Sequence, residues 1–563
     1  MYEVEIRVLG AGGEVGRSCF LVVMGKTAIL IDSGVHMSTT DSRERLPIIP
    51  SDVSISAIFI THYHLDHIGA LPYLRELSEN ACLKSCRVFM TTPTYLLAPA
   101  ILADFCRSGP HADLYSSNHV LRCFEKIEPL FINNVIYPTP ERDVSVVAFH
   151  SGHVLGGVGL VIGFQGFTLV YTGDFSVVDD SLLKPIRIPN LLIPTQGVDM
   201  IISESTHATR KADRSISLSE LDLCRRVNSC LERGGKVLIP IFAVGRTQEL
   251  ASVIRRHLGA GPRIFTTSAS GRKASVLTNN LLRTWTQQRD QTCYADLAVE
   301  FMDDANSLPD GPCIVFSSPA MLEGGTSLEL FMKLCDSPKN LVILTGYCTK
   351  ETVGNSVILF ASRRVTNRVI KVHGQAIDVR CECYYTPFSN HSDSPGIESV
   401  VRQFVPREIV LVHGEKSKME TFASKLKDSW AQDTKISIPS NAETLSRRAN
   451  DTLRQAFKPL RRFTLRRKMI LNWKDFDRLY HKLLDMKPRL STRMIEETIV
   501  VEKGWDTVTI SRGTSHEDIA VEYACSIPNI PSEWIVCNKI LNLIREAVGS
   551  ICGDEFSISE CSN

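Results

Sequence analysis

Four residues within six positions, His62, His64, Asp66 and His67, stand out in Thr61-His62-Tyr63-His64-Leu65-Asp66-His67-Ile68-Gly69-Ala70-Leu71. Three imidazoles and a carboxylate this close together point to metal binding. Buried without a metal, they would leave several unsatisfied polar groups at about 1–3 kcal/mol each. With Zn²⁺ they are accepted ligands at about 2.0–2.2 Å. The spacing is too tight for all four to surround one ion tetrahedrally. The expectation is two adjacent ions, with His62 and His64 serving one and Asp66 and His67 the other. Two ions about 3.5–4 Å apart activate a water and stabilise both oxygens of a displacement.

The elements that must hold these groups can be read from the apolar runs around them. Ala57 to Ile60 predicts a buried strand ending just before His62, and a helix is expected from Ile68 to about Leu77. Glu3 to Val8 alternates as a strand and runs into the glycine-rich loop Gly10 to Gly16, read as a tight turn beneath the metals because no GKT or GKS follows. Further strands are predicted at Ala28 to Ile31, Val144 to Phe149, Thr168 to Thr172, Asp199 to Ser203 and Glu408 to Val412. They deliver Asp32, the pair His150 and His153, Asp174, Glu204 and His413. His391 lies in the polar loop Phe388 to Asp393. The stretch Ala81 to Pro140 suggests helices and loops without a distinct motif. A helix over Ser217 to Glu232 ends at Gly234-Gly235, and strands follow at Lys236 to Phe242, Cys313 to Phe316 and Leu341 to Thr345, with a helix opening at Gly245-Arg246-Thr247-Gln248. Helices alternating with buried strands predict a parallel-sheet α/β domain, inserted because site residues resume after it.

A chain of 563 residues implies two to four domains, and 44% hydrophobic with 22% charged residues is ordinary for soluble proteins. No apolar run approaches the roughly 18 residues of a membrane span. The start Met1 to Val8 lacks a basic segment followed by an apolar one, so no signal peptide and an intracellular setting are expected. The 17 cysteines are scattered and odd in number, which predicts reduced core thiols. A net charge of +1 predicts no general attraction to nucleic acid, so a polyanion must be held by local patches or partner proteins.

The HxHxDH string resembles the metallo-β-lactamase superfamily, whose αββα fold sandwiches two sheets between helices with a metal site along one edge. The string alone is shared by thioester hydrolases, phosphodiesterases, lactonases and nucleases. An α/β segment inserted between Glu204 and the late histidines His391 and His413 is similar to the β-CASP nucleases, with these three residues matching that family's motifs A, B and C. A histidine at the third place is typical of members acting on RNA. Gly16 to Cys19, Glu204-Ser205-Thr206, Glu232 to Pro240, Gly346-Tyr347-Cys348 and Leu411 to Glu415 look like the RNA 3′-end-processing endonucleases. Val35-His36-Met37, Ser205 to Thr209 and Gly346 to Lys350 look closer to the Integrator branch than to its cleavage-and-polyadenylation sister.

This resemblance implies two Zn²⁺ ions, one held by His62, His64, His153 and Asp174, the other by Asp66, His67, Asp174 and His413. It implies Asp32 behind the ligands, a simple turn being the other reading of Asp32-Ser33-Gly34. His391, oriented by Glu204, would protonate the departing 3′ oxygen, with Asp66 part of the catalytic centre. It further implies a metallo-β-lactamase domain over 1–207 and 386–441, a β-CASP domain over 208–385 and a small α/β assembly region over 442–563. The partners implied are RNA and an inactive β-CASP paralogue, bound through the C-terminal region within a larger nuclear processing complex, with no membrane. Past Ala442 the resemblance fades. The basic run Lys458 to Lys468 suits RNA binding, nuclear import or a solvated face equally. Strands are predicted at Thr498 to Val501 and Thr507 to Ser511, and a helix at Val536 to Val548. Ser33, His207 and Asn390 stand where cysteine, tyrosine and alanine are expected. A thioester or lactone hydrolase would share Thr61 to Leu71 but would not need the insertion. An inactive assembly subunit would share the fold, typically with ligands lost.

Overall fold

Val4, Ile6 and Val8 are buried along the strand Tyr2–Gly10, while Glu3, Glu5 and Arg7 between them face outwards, the two-residue period of a half-buried strand. The computed structural model describes residues 2–449 except 38, 40, 107–112, 179–182, 190–196, 211–215, 242–244, 286–297, 347, 349, 351, 363–367, 373, 387–389 and 431–433. It also describes the strands Phe463–Arg467, Ser491–Ile495, Thr498–Lys503, Asp506–Arg512 and Ile519–Ala524.

Two seven-stranded sheets face each other within residues 1–453. The first runs in the order Thr444–Ala449, Tyr2–Gly10, Cys19–Met24, Thr27–Ile31, Ala57–Phe59, Arg87–Met90, Glu128–Pro129. The second runs Lys435–Ser437, Glu408–Val412, Met200–Glu204, Phe167–Tyr171, Val158–Phe164, Val144–His150, Val135–Ile136. Phe20, Ile29, Phe59 and Phe89 of the first meet Val146, Leu160, Ile202 and Val410 of the second in one apolar layer. Burying each such side chain contributes roughly 1.5–3 kcal/mol. On the first sheet's other face, Leu21, Leu30, Ile58, Val88 and Met90 pack with Leu97 and Leu102 of the helix Thr92–Phe105. Behind the second sheet, the helix Ser394–Phe404 buries Ile397, Val400, Val401 and Phe404, with the Phe404 ring 6.1 Å from that of Phe149. The layers are helix, sheet, sheet, helix.

Parallel pairing brings the strand ends to one edge. Ile31 is level with Phe59, Tyr171 with Ile202, and Glu204 with Val412. The residues that follow these ends emerge side by side.

Residues 216–385 build a separate six-stranded, all-parallel sheet in the order Val299–Phe301, Ile264–Thr266, Cys313–Ser317, Lys236–Pro240, Leu341–Leu344, Glu382–Tyr385. Apolar cores lie on both of its faces, as parallel sheets require. The C-terminal unit holds a five-stranded antiparallel sheet. The strands expected at Thr498 to Val501 and Thr507 to Ser511 lie in it, part of the basic run falls on Phe463–Arg467, and the expected helix at Val536 to Val548 lies outside the described residues.

Two local expectations need correction. In place of one helix from Ile68 to Leu77 there is a short helix Leu65–Ile68 and a π-helical turn Tyr73–Leu77. Pro72 between them has no N–H to carry an unbroken ladder. Within Ala81 to Pro140, the strand Arg87–Met90 pairs in parallel with Ala57–Phe59, and two-residue strands lie at Glu128–Pro129 and Val135–Ile136. Runs this short carry too little alternation to be told from loop.

Candidate metal centre

Asp174 is the hub of the strand-end edge. Its carboxylate oxygens lie 3.2 Å from His67 Nε2, 3.6 Å from His413 Nδ1, and 3.8 Å from His62 Nε2 and His153 Nε2. Two ligand-like sets share it: His62, His64, His153 and Asp174, and Asp66, His67, Asp174 and His413, the ligand atoms of each within 4.8 Å of one another. A third cluster adds Glu204 and His391 to Asp174 and His413.

Behind the imidazoles the hydrogen bonds fix the tautomers. His67 Nδ1 donates to Asp32 Oδ2 at 2.8 Å, and its Nε2 lies 3.2 Å from Asp174 and 3.3 Å from the Ser18 hydroxyl. The hydroxyl of Thr61 donates to Asp32 and accepts from His62 Nδ1 at 3.1 Å, so one carboxylate orients two histidines, one directly and one through a threonine. Tyr171 adds a hydroxyl to Asp32 at 3.1 Å, and the Thr61 N–H donates at 2.8 Å. The same device recurs opposite: the Thr206 hydroxyl donates to Glu204 Oε2 at 2.7 Å and accepts from His413 Nδ1 at 2.9 Å. His153 Nδ1 donates to the carbonyl of Asn390 at 3.0 Å.

Asp32 and His413 both have positive φ, +59° and +52°. Such backbone costs a non-glycine residue of order 1–3 kcal/mol and persists where surroundings impose it. At His413 those surroundings include the glycine-rich loop, since the His413 N–H donates to the carbonyl of Ala11 at 2.8 Å.

The arrangement is suited to cations. Both oxygens of Asp174 are buried and receive no hydrogen bond. His64 Nδ1 stands 3.1 Å from His62 Nε2 and 3.2 Å from His153 Nε2, and the latter two nitrogens are bare because each ring's proton is committed behind it. Lone pairs converging on unpaired carboxylate oxygens are relieved by a positive ion. Burial, with neighbouring imidazoles, holds His62 and His153 well below the ordinary histidine range, and burial pulls His64 down to about 4, so all three are neutral as ligands must be. Burial also opposes charge on His67, but the Asp174 and Asp32 carboxylates outweigh it and hold that ring well above its usual value. Burial would raise Asp66; the His413 hydrogen bond and the charges of His67 and His413 keep it well below.

Glu204 is saturated differently. Its oxygens accept from Phe175 N, Thr206 N and Thr206 Oγ1, and His391 Nδ1 lies 3.0 Å from both. A carboxylate so occupied orients His391 rather than seeking a metal. Burial lowers His391, but the charges of Glu204 and Asp174 and the Glu204 hydrogen bond more than offset it and bring the imidazole up to about 9. Its side chain is 19% exposed where those of His62, His67, His153 and His413 are 0–3% exposed, so it is more accessible than these four.

The structure thus brings Asp32, His62, His64, Asp66, His67, His153, Asp174, Glu204, His391 and His413 to one edge. His150 is half-buried at the end of its strand, outside all three clusters. His207 stands with its ring 5.9 Å from His391, and Ser33 has a buried hydroxyl without a partner. The relay residues Thr61 and Thr206, Tyr171 and the carboxylate Glu249 were not singled out by the sequence. The signal available for the threonines was their place beside His62 and Glu204 at strand ends.

Residues 21–196 match the Metallo-beta-lactamase superfamily domain, 247–357 the Beta-Casp domain and 376–439 the Zn-dependent metallo-hydrolase RNA specificity domain. The chain is 34% identical over 469 residues to Integrator complex subunit 11 of Danio rerio, covering 79% of this chain and 74% of that protein. It is 33% identical over 463 residues to Cleavage and polyadenylation specificity factor subunit 3-II of Arabidopsis thaliana, covering 79% and 72%. With Cleavage and polyadenylation specificity factor 73 of Drosophila melanogaster it shares 30% over 459 residues, covering 77% and 63%.

Proposed function

Because this chain belongs to the β-CASP metallo-β-lactamase family of metal-dependent RNA endonucleases, we propose that it cuts nascent RNA by hydrolysis at the edge built around Asp174. The observation that carries the reading is the pair of four-ligand sets sharing one carboxylate whose two oxygens have no other partner. In this reading His62, His64, His153 and Asp174 hold one zinc, and Asp66, His67, Asp174 and His413 hold a second. When bound, the metals supply the Lewis acidity that lowers the pKa of a water and offsets charge developing at phosphorus. Asp32 positions His67 directly and His62 through Thr61, and Glu204 positions His413 through Thr206. His391, held at Nδ1 by Glu204, presents Nε2 as the acid for the departing 3′ oxygen.

We assign residues 208–385 to the β-CASP domain and residues 1–207 and 386–453 to the metallo-β-lactamase domain; the assembly region begins after Leu453 rather than at 442, because the strand Thr444–Ala449 pairs with Tyr2–Gly10 in the first sheet. Similarity to Integrator complex subunit 11 favours 3′-end processing of snRNA-type or attenuated transcripts in the nucleus, with cleavage of polyadenylated precursors as the sister assignment. An inactive β-CASP paralogue is the partner proposed for the C-terminal region.

The test is metal content measured together with cleavage of a labelled single-stranded RNA, for the wild type and for Asp66→Ala/His67→Ala. Two bound metals, with cleavage lost in the double variant, is the expected outcome. A folded protein that takes up no metal overturns the proposal.

A further inference from the structure

Asn390 occupies a position that the sequence flags as a departure, beside His391, and its side chain does more than fill space. Its Nδ2 donates to the main-chain carbonyl of His153 at 3.1 Å while the main-chain carbonyl of Asn390 accepts from His153 Nδ1 at 3.0 Å, a reciprocal clasp on one residue. The second Nδ2 hydrogen goes to Glu249 Oε1 at 2.6 Å. Both partners of Nδ2 only accept, so the amide has one workable orientation.

Glu249 belongs to the inserted domain, in the first turn of the helix Arg246–Leu258. Its other oxygen is fixed by Arg246 at 2.6 Å. That helix start is held in turn by Gln248, which accepts from Gly245 N at 2.7 Å and donates to Gly271 O and Ser275 Oγ at 3.2 and 2.9 Å. The Glu249 side chain is only 14% exposed, and burial raises its carboxyl against the opposing pull of Arg246 and Asn390. A buried carboxylate is retained at low cost only where such donors meet it. On the other side of Asn390, His153 is nearly sealed, and its ring orientation follows the Asn390 carbonyl.

We propose that Glu249 and Asn390 form a positioning link through which the inserted domain sets the orientation of His153 and the placement of the neighbouring His391. The link rests on the metal-site reading given above. Neither residue touches the reacting atoms. They act by holding the carbonyl that fixes the His153 tautomer, and losses of this kind typically weaken metal binding about 10–100-fold.

Zinc affinity is measured by competition with a chromophoric chelator on the full chain, with circular dichroism and thermal melting to verify folding. Asn390→Asp is nearly isosteric but removes the donor and sets two carboxylates face to face. It is expected to weaken zinc binding about 10–100-fold and to lower kcat more than KM. Asn390→Asp/Glu249→Gln restores a donor–acceptor pair with its polarity reversed and recovers part of the affinity, because the bond to the His153 carbonyl stays lost. Zinc affinity within twofold of the wild type in folded Asn390→Asp, or no recovery in the double variant, overturns the link. Because the zinc readout needs no RNA, weakened binding in Asn390→Asp with recovery in the double variant, in a wild type that binds metal but cuts no RNA, supports the link and removes the endonuclease reading instead.

Discussion

Changing Asp32 to asparagine is expected to weaken zinc binding about 10–100-fold, or 1.4–2.8 kcal/mol, in a protein that still folds. The carboxylate is fully buried and receives Thr61 N, the Thr61 hydroxyl, His67 Nδ1 and the Tyr171 hydroxyl at 2.8, 2.9, 2.8 and 3.1 Å. Asparagine tolerates the φ of +59° as well as aspartate does, so the backbone adds no new strain. Its amide nitrogen must nevertheless face a donor. Turned towards Thr61 N it sacrifices one buried bond; turned the other way it opposes His67 and Tyr171. The milder orientation, together with the loss of charge-assisted bonding, costs about 2–4 kcal/mol, which is less than the 5–15 kcal/mol of a typical fold. His67 also loses a carboxylate that makes its ring more basic, and basicity is what a ligand contributes. Competition with a chromophoric chelator reads the affinity and urea unfolding reads the stability. A folded Asp32→Asn protein with unchanged zinc affinity would refute the assignment of Asp32 as the group that orients the ligands.

His391→Ala is expected to retain both metals while cleavage falls about 10²–10⁴-fold, measured in single-turnover assays; an unchanged rate sinks the acid assignment. Thr206→Val keeps the side-chain shape but cuts the relay from His413 to Glu204. We expect metal affinity down roughly tenfold, and parity with the wild type in a chelator titration contradicts that relay. The pH dependence of the metal-free protein follows from the depressed histidines. His64, held near 4 by burial, and His62 and His153, held well below 6.5 by the same cause, stay neutral in the fold while the unfolded chain takes up protons below 6.5. Stability is therefore lost as pH falls from 6.5 towards 4, by up to about 1.4 kcal/mol per pH unit for each ring, and a urea midpoint constant from pH 7 to 5 counts against it. Zinc in 100-fold excess over its Kd should stabilise the fold by about 2.7 kcal/mol, read as a shift in the melting temperature that a chelator reverses.

The gathering of these histidines and acids at one edge was legible because histidines and acids directly after short apolar runs have few bland explanations when they recur at strand after strand. Asp32, Asp174, Glu204 and His413 each follow or end such a run. What supports that gathering was harder to see. A threonine before His62 or after Glu204 looks like any strand-end residue until its hydroxyl is found between an imidazole and a carboxylate. Tyr171 belongs to an apolar strand and gives no sign that its hydroxyl reaches Asp32. Glu249 lies 141 residues from Asn390, a pairing that only the folded chain creates. The π-helical turn at Tyr73–Leu77 hides behind a run that is apolar enough for an ordinary helix, and Pro72 is the one residue that hints at the break.

The contact between Asp66 and His413 joins positions 347 residues apart, with the whole parallel-sheet domain between them. On a ribosome adding about 5–20 residues per second, His413 arrives roughly 17–70 s after Asp66. Until the strand Glu408–Val412 has docked beside Met200–Glu204, the growing chain has no His413 at its edge. A chain released early is thus an incomplete cutter, and the order of synthesis itself delays activity until nearly all of the two-sheet body exists.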